Sequence, residues 1–174
     1  MRNKGYLNSE KRGHRSGALV FRRTVLIIPL ICIALLLIPF QVLTIGGEDG
    51  EESAHIGASE FSLRWKHSVE KEDWEEFFVL KDTGILLTDT RFKTFGAGVP
   101  SDVGTDTFIK DGWVYMTGIH RLIGDSLYFR TGKTTEHRIT VDGQSVKLKA
   151  NSSYHVTVKR LKLFQALLLK IRVM

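Results

Sequence analysis

The segment LRWKHSVEKEDWEE, residues 63–76, holds the densest set of groups in this chain that could do chemistry. His67 stands between Trp65 and Trp74, and Glu70, Glu72, Asp73, Glu75 and Glu76 follow it. An imidazole near carboxylates is what a general acid–base pair or a metal site is built from. The spacing argues against a ligand pair within the segment. Phe61, Leu63, Trp65, His67 and Val69 alternate with polar residues as one face of a strand, which sends Glu70 to the other face. A His-x-x-Glu pair shares one side only on a helix. Further along, His120, His137 and His155 stand singly, as does His55 before the segment. No metal, cofactor or catalytic residue is therefore expected. Trp65 and His67 are read as holding the first strand to its sheet, and the acids from Glu70 to Glu76 as its exposed turn. The alternative from another class is a small hydrolase that sets His67 against Glu75 or Glu76.

A second candidate is RFKTFGAGVPSD, residues 91–102. It lacks the spacing of a nucleotide-binding glycine loop, and no helix follows to receive a phosphate. Gly96 and Gly98 instead suit a tight turn beside Phe95, with Pro100 fixing the exit. Arg91 and Lys93 bring positive charge to it, so this loop is the expected recognition surface, suited to a small carboxylate ligand.

The elements that must position these residues have the period of strands. FFVL, GILLTDTRFKTF, WVYMTGI, LYFRTG, HRITV, QSVKLKA and SYHVTVKRL carry β-branched or aromatic alternation, and Asp142-Gly143 between two of them suits a two-residue hairpin turn. From Phe61 to Arg160 no helical stripe is evident. The expected fold is all-β, a small sandwich or partly open barrel over residues 61–174. In LKLFQALLLKIRVM the odd positions Leu161, Leu163, Leu167, Leu169, Ile171 and Val173 continue the alternation, interrupted by Gln165. A last strand is expected there, with a basic segment lying on a membrane surface as the rival.

Ahead of this domain, VLIIPLICIALLLIPFQVLTI, residues 25–45, is uncharged and long enough to cross a bilayer as a single transmembrane helix. Seven basic residues and one acid precede it in a head of residues 1–24, and the acidic, Gly-rich residues 46–60 read as a flexible tether. The charge asymmetry predicts a single-pass cell-membrane protein with its N-terminus cytoplasmic, an exported domain outside and the lipid bilayer as a partner. The formal net charge of +6 lies in the head, so the domain is neutral and no nucleic-acid partner is expected. The lone cysteine, Cys32, falls in the apolar block, which leaves the domain without a disulfide.

The strings Trp65-x-His67-Ser68-Val69-Glu70 with Glu75 or Glu76 after it, and Arg91-Phe92 followed by Phe95-Gly96-Ala97-Gly98, resemble a bacterial family, domain of unknown function 1850, over about residues 59–160. The resemblance implies no activity that could be assigned to a residue. It implies a gene commonly placed beside TRAP transporters of the TAXI type, which take up small organic acids. On that basis the expected role is a membrane-anchored, extracytoplasmic accessory domain for organic-acid uptake, binding or docking on a TRAP transporter membrane or binding subunit.

Overall fold

A computed structural model describes residues 25, 27–82, 84–96, 99 and 103–173. It divides into two units, one ending at Ile38 and the other spanning Pro39–Met174. In the first, α1 is described over residues 27–36. Among the described residues the second contains twelve strands: β1 (Pro39–Gly47), β2 (Glu52–Ile56), β3 (Glu60–Lys66), β4 (Asp73–Lys81), β5 (Gly84–Phe92), β6 (Asp106–Lys110), β7 (Trp113–Thr117), β8 (Arg121–Gly124), β9 (Ser126–Arg130), β10 (Arg138–Val141), β11 (Gln144–Lys147) and β12 (Ser153–Lys162). Helix α2, Leu163–Arg172, follows directly.

All pairings are antiparallel. The smaller sheet has the order β2-β1-β12-β9, and the larger runs β11-β10-β3-β4-β5-β7-β6, with β8 beside β7 on the same edge of β5. Neither closes into a barrel. Leu43 and Ile45 of β1 and Val156 and Val158 of β12 meet Phe61, Leu63, Phe78, Leu87 and Ile139 of the larger sheet in the main core. A second cluster, Trp74, Phe92, Val114 and Met116, lies further along the same face of the larger sheet.

The apolar block is where the sequence misleads. It is divided: α1 occupies residues 27–36, and Pro39 opens β1, one of the two interior strands of the smaller sheet. β1 reads as continuously apolar because both its faces are covered. Leu43 and Ile45 enter the main core, while Val42 packs with Ala54 and Ala166 of α2 on the other side. Among the described residues no helix is long and apolar enough to cross a membrane. The expected transmembrane helix is thus corrected, and with it the bilayer partnership, the single-pass cell-membrane topology and the exported position inferred from it. The basic head, residues 1–24, lies outside the described residues. The stretch expected to be a tether forms the β1–β2 hairpin and the approach to β3.

The all-β expectation is corrected as well, since strands dominate but helices are present. β12 ends at Lys162 and the expected last strand becomes α2. Gln165, the residue that broke the strand alternation, accepts a hydrogen bond from the Lys162 N–H at 3.0 Å and caps the new helix. Ala166, Leu169 and Val173 then form the stripe that meets Val42 and Ala54. Asp142 and Gly143, with φ of 50° and 75°, make the β10–β11 turn as expected.

If β1 is an interior strand, truncating Leu43, which is 0% exposed, removes core contacts that nothing replaces. Leu43→Ala should cost about 3 kcal/mol of unfolding free energy, measured by denaturant unfolding of the full-length chain. An unchanged midpoint would remove β1 from the core.

Candidate functional site

β4 carries the functional question on its two faces. Trp74, Glu76, Phe78 and Leu80 point toward the core, while Asp73, Glu75 and Phe77 point outward, by the strand period of two. β5 would spoil this arrangement without its bulge. Ile85 and Leu87 face the core, but so do Thr90 and Phe92, because the register with β4 shifts between Phe77 and Phe78. That one extra residue turns Arg91 to the outer face.

There Glu75, 7% exposed, accepts three hydrogen bonds from two residues. Ser62 Oγ donates to Oε1 at 2.9 Å, Arg91 Nε donates to Oε2 at 2.9 Å, and a second Arg91 nitrogen completes the pair on Oε2. The remaining arm of Arg91 donates to Tyr115 Oη at 2.9 Å. Burial alone would push the Arg91 guanidinium down, but the bonds to Tyr115 and Glu75 raise it instead. Trp113 closes the group: Arg91 lies 4.4 Å and Lys93 Nζ 4.3 Å from its ring centre. Arg91 and Lys93 are therefore placed together, yet Arg91 already has a carboxylate.

The same outer face extends across β3, β10 and β11. The register sets Arg64 beside Glu75 on one side and beside Arg138 on the other, and Arg138 beside Lys147. Arg64 pairs with Asp73 at 2.6 Å and Lys66 with Glu136 at 3.1 Å. Arg138 and Lys147 have no ion pair among the described residues. An open cleft of about 540 Å³ is lined by Arg64, Lys66, Arg91 and Arg138, by the carboxylates Asp73, Glu75 and Glu136, and by Thr140 and Ser145. Ser62, Trp113, Tyr115, Arg138 and Lys147 were not foreseen as a site. One signal was available: a two-residue turn at Asp142-Gly143 places Val141 opposite Gln144, hence Arg138 opposite Lys147.

The opening histidine has a different setting. β3 ends at Lys66, and His67 begins the turn: its N–H donates to Glu72 O at 2.8 Å and its carbonyl accepts from Lys71 at 3.0 Å. Its ring stacks on Trp74 at 5.8 Å, and Trp65, Phe92 and Phe95 extend the aromatic row through Trp74 and Phe92. Val69, expected in the strand, is exposed in the turn. Of the acids, only Glu70 and Glu72 belong to that turn; Asp73, Glu75 and Glu76 lie in β4. Glu75 is committed on the face opposite Trp74, and no hydrogen bond or ion pair joins His67 to Glu75 or Glu76 among the described residues. The pair that the alternative hydrolase reading requires is not assembled among the described residues. Gly96 lies against Glu70, so that a Cβ there would fall 2.5 Å from the Glu70 carboxyl carbon. Gly98, the other glycine of that loop, lies outside the described residues.

Glu76, facing inward, is half-buried between Trp74 and Phe78 with no side-chain hydrogen bond among the described residues. Burial lifts its carboxyl above the ordinary range, with Arg121 pulling it part of the way back.

Fold and site together define a two-sheet, strand-dominated domain with an open, cation-rich cleft on one sheet face. Residues 61–148 match the model of the family described as Domain of unknown function (DUF1850), and the chain belongs to that family. Neither the curated proteins nor the solved structures provide a match.

Arg91→Ala should leave Glu75 buried and unpaired, costing about 3 kcal/mol of stability, against well under 1 kcal/mol for Lys93→Ala. Denaturant melts of the two variants check this, and equal midpoints would contradict it. Glu76 gives a pH test. Its folded pKa is raised, so its contribution to stability is fully present below the unfolded value and is lost as pH rises through the folded value. Glu76→Gln should therefore gain on wild type as pH rises through that window, read as the difference in melting temperature between the two proteins.

Proposed function

We propose that this domain binds a small organic anion, of carboxylate type, in the cleft on the outer face of the larger sheet. The observation that carries the reading is the cross-strand row Lys147–Arg138–Arg64, in which like charges are neighbours on one face. Such neighbours repel, and pairs set directly opposite cost stability. Asp73 answers Arg64 and Glu136 answers Lys66, while Arg138, which has no ion pair among the described residues, remains for an incoming anion. Thr140 and Ser145 line the same cleft and supply hydroxyl donors beside the guanidinium groups. Glu75 and Arg91 form the rigid floor, not the ligand contact. The gene neighbourhood implied by the family resemblance, beside TAXI-type transporters of organic acids, would make such a ligand available; the genes flanking this one decide that point.

Succinate is the probe. In calorimetric titration of the full-length chain it should bind, with an affinity that falls as salt is added. Arg138→Gln should weaken binding about tenfold, and Lys81→Gln, at the far end of β4, should leave it unchanged. Without ligand, Arg138→Thr should stabilise the fold by about 0.5 kcal/mol by relieving the repulsion. No heat of binding at low salt, or equal affinity of Arg138→Gln and wild type, removes the reading.

A further inference from the structure

A carboxylate on the inward face of a central strand breaks the pattern that builds the rest of this domain. Along β4 the inward positions are Trp74, Glu76, Phe78 and Leu80, and only the second is polar. Trp74 belongs to the second hydrophobic cluster and Phe78 to the main core, so Glu76 stands at the seam between them. Its cross-strand neighbours are Leu63 on β3 and Thr90 on β5. Thr90 does not satisfy it, because the Thr90 hydroxyl accepts from Trp74 Nε1 at 2.8 Å and donates to Glu75 O at 3.1 Å. A carboxylate partly removed from water without a partner is costly, and local rules are broken in this way mainly where function requires it.

The seam is open. Glu76, Arg121, Trp74, Leu87, Ile119 and Val103 line a cavity of about 520 Å³. Arg121 is held there by the register of β8, which places it beside Leu87 of β5. The turn before it is pinned by the Ile119 N–H donating to Thr88 O at 2.8 Å, and His120 takes a left-handed conformation, φ 51°, to complete it. Glu76 and Arg121 thus carry opposite charges on the wall of one cavity and do not form an ion pair. The rest of the wall combines the apolar Leu87, Ile119 and Val103 with Thr90, Gly104 and His120.

We infer that this cavity is a second binding site, for a small zwitterion of α-amino-acid type with an apolar side chain. Its ammonium group meets Glu76, its carboxylate meets Arg121, and its side chain lies on Leu87, Ile119 and Val103. A ligand carrying both charges satisfies both groups at once, whereas a simple anion leaves Glu76 unpaired and a simple amine is repelled by Arg121. The site is on the opposite face of β4 from the anion cleft and does not depend on it.

The test uses three probes that share one side chain: L-leucine, isocaproate, which lacks the ammonium group, and isoamylamine, which lacks the carboxylate. Each is titrated into the full-length, isotopically labelled protein by NMR. L-leucine should shift the amides of Glu76, Thr90 and Arg121 saturably, and the other two should bind at least about tenfold more weakly. Glu76→Gln should lose about tenfold or more for L-leucine but not for isocaproate. Arg121→Gln should lose L-leucine binding but not that of isoamylamine; as an exposed residue outside any ion pair, it keeps the test valid should Glu76→Gln fail to fold. No saturable shift with L-leucine, equal affinity for all three probes, or unchanged L-leucine binding by Arg121→Gln overturns the proposal.

Discussion

Strand β1 has no face left for water, and the rest of the domain is arranged around that constraint. It bonds to β12 from Pro39 to Gly47 and to β2 on its other edge, so its backbone groups are used on both sides. One row of its side chains closes the main core against β3, β4 and β5, and the other lies under α2. An apolar sequence of this kind is stable only where both faces find cover. That requirement explains why the chain turns from strand to helix at Lys162: Ala166, 0% exposed, is small enough to let the helix sit close on Val42 and Ala54.

β4 shows the opposite balance. It is as central to the larger sheet as β1 is to the smaller, yet it carries carboxylates on both faces. Glu75 is compatible with burial because Ser62 and Arg91 satisfy it, and the β5 bulge is what brings Arg91 to the correct side. Glu76 has no equivalent arrangement and faces a cavity instead. The two adjacent glutamates thus differ not in chemistry but in which face the strand presents. One secures the sheet, and the other leaves a charge directed at empty space.

The outer face contains a related compromise. Arg64, Arg138 and Lys147 are neighbours on adjacent strands, and one sheet face has gathered more positive charge than its acids neutralise. The aromatic row behind it, Trp65, Trp74 and Phe92, with ring centres 5.6 Å and 5.4 Å apart, provides the rigidity that lets the sheet hold such a face. The residues that carry the family resemblance therefore serve mostly as this support. Trp65 and His67 stack on Trp74, Phe95 meets Phe92 edge-on, Glu70 and Gly96 touch, and Glu75 and Arg91 pair.

The sequence alone determined what depends on near neighbours. Alternation along β3, β7, β10 and β12, the Asp142-Gly143 turn and the family resemblance were all legible, because strand period and turn conformation are properties of a few consecutive residues. It did not determine what depends on burial by distant parts of the chain. An interior strand and half of a membrane helix have the same hydropathy, so residues 39–45 declare themselves only when β12 and α2 cover them. Leu163 to Val173 fit either period, and the packing against Val42 chose the helix. The β5 bulge has no signature in composition, yet it decides that Arg91 serves Glu75. The cation row and the Glu76 cavity likewise arise from cross-strand register between segments far apart in sequence, and only the assembled sheets bring those charges face to face.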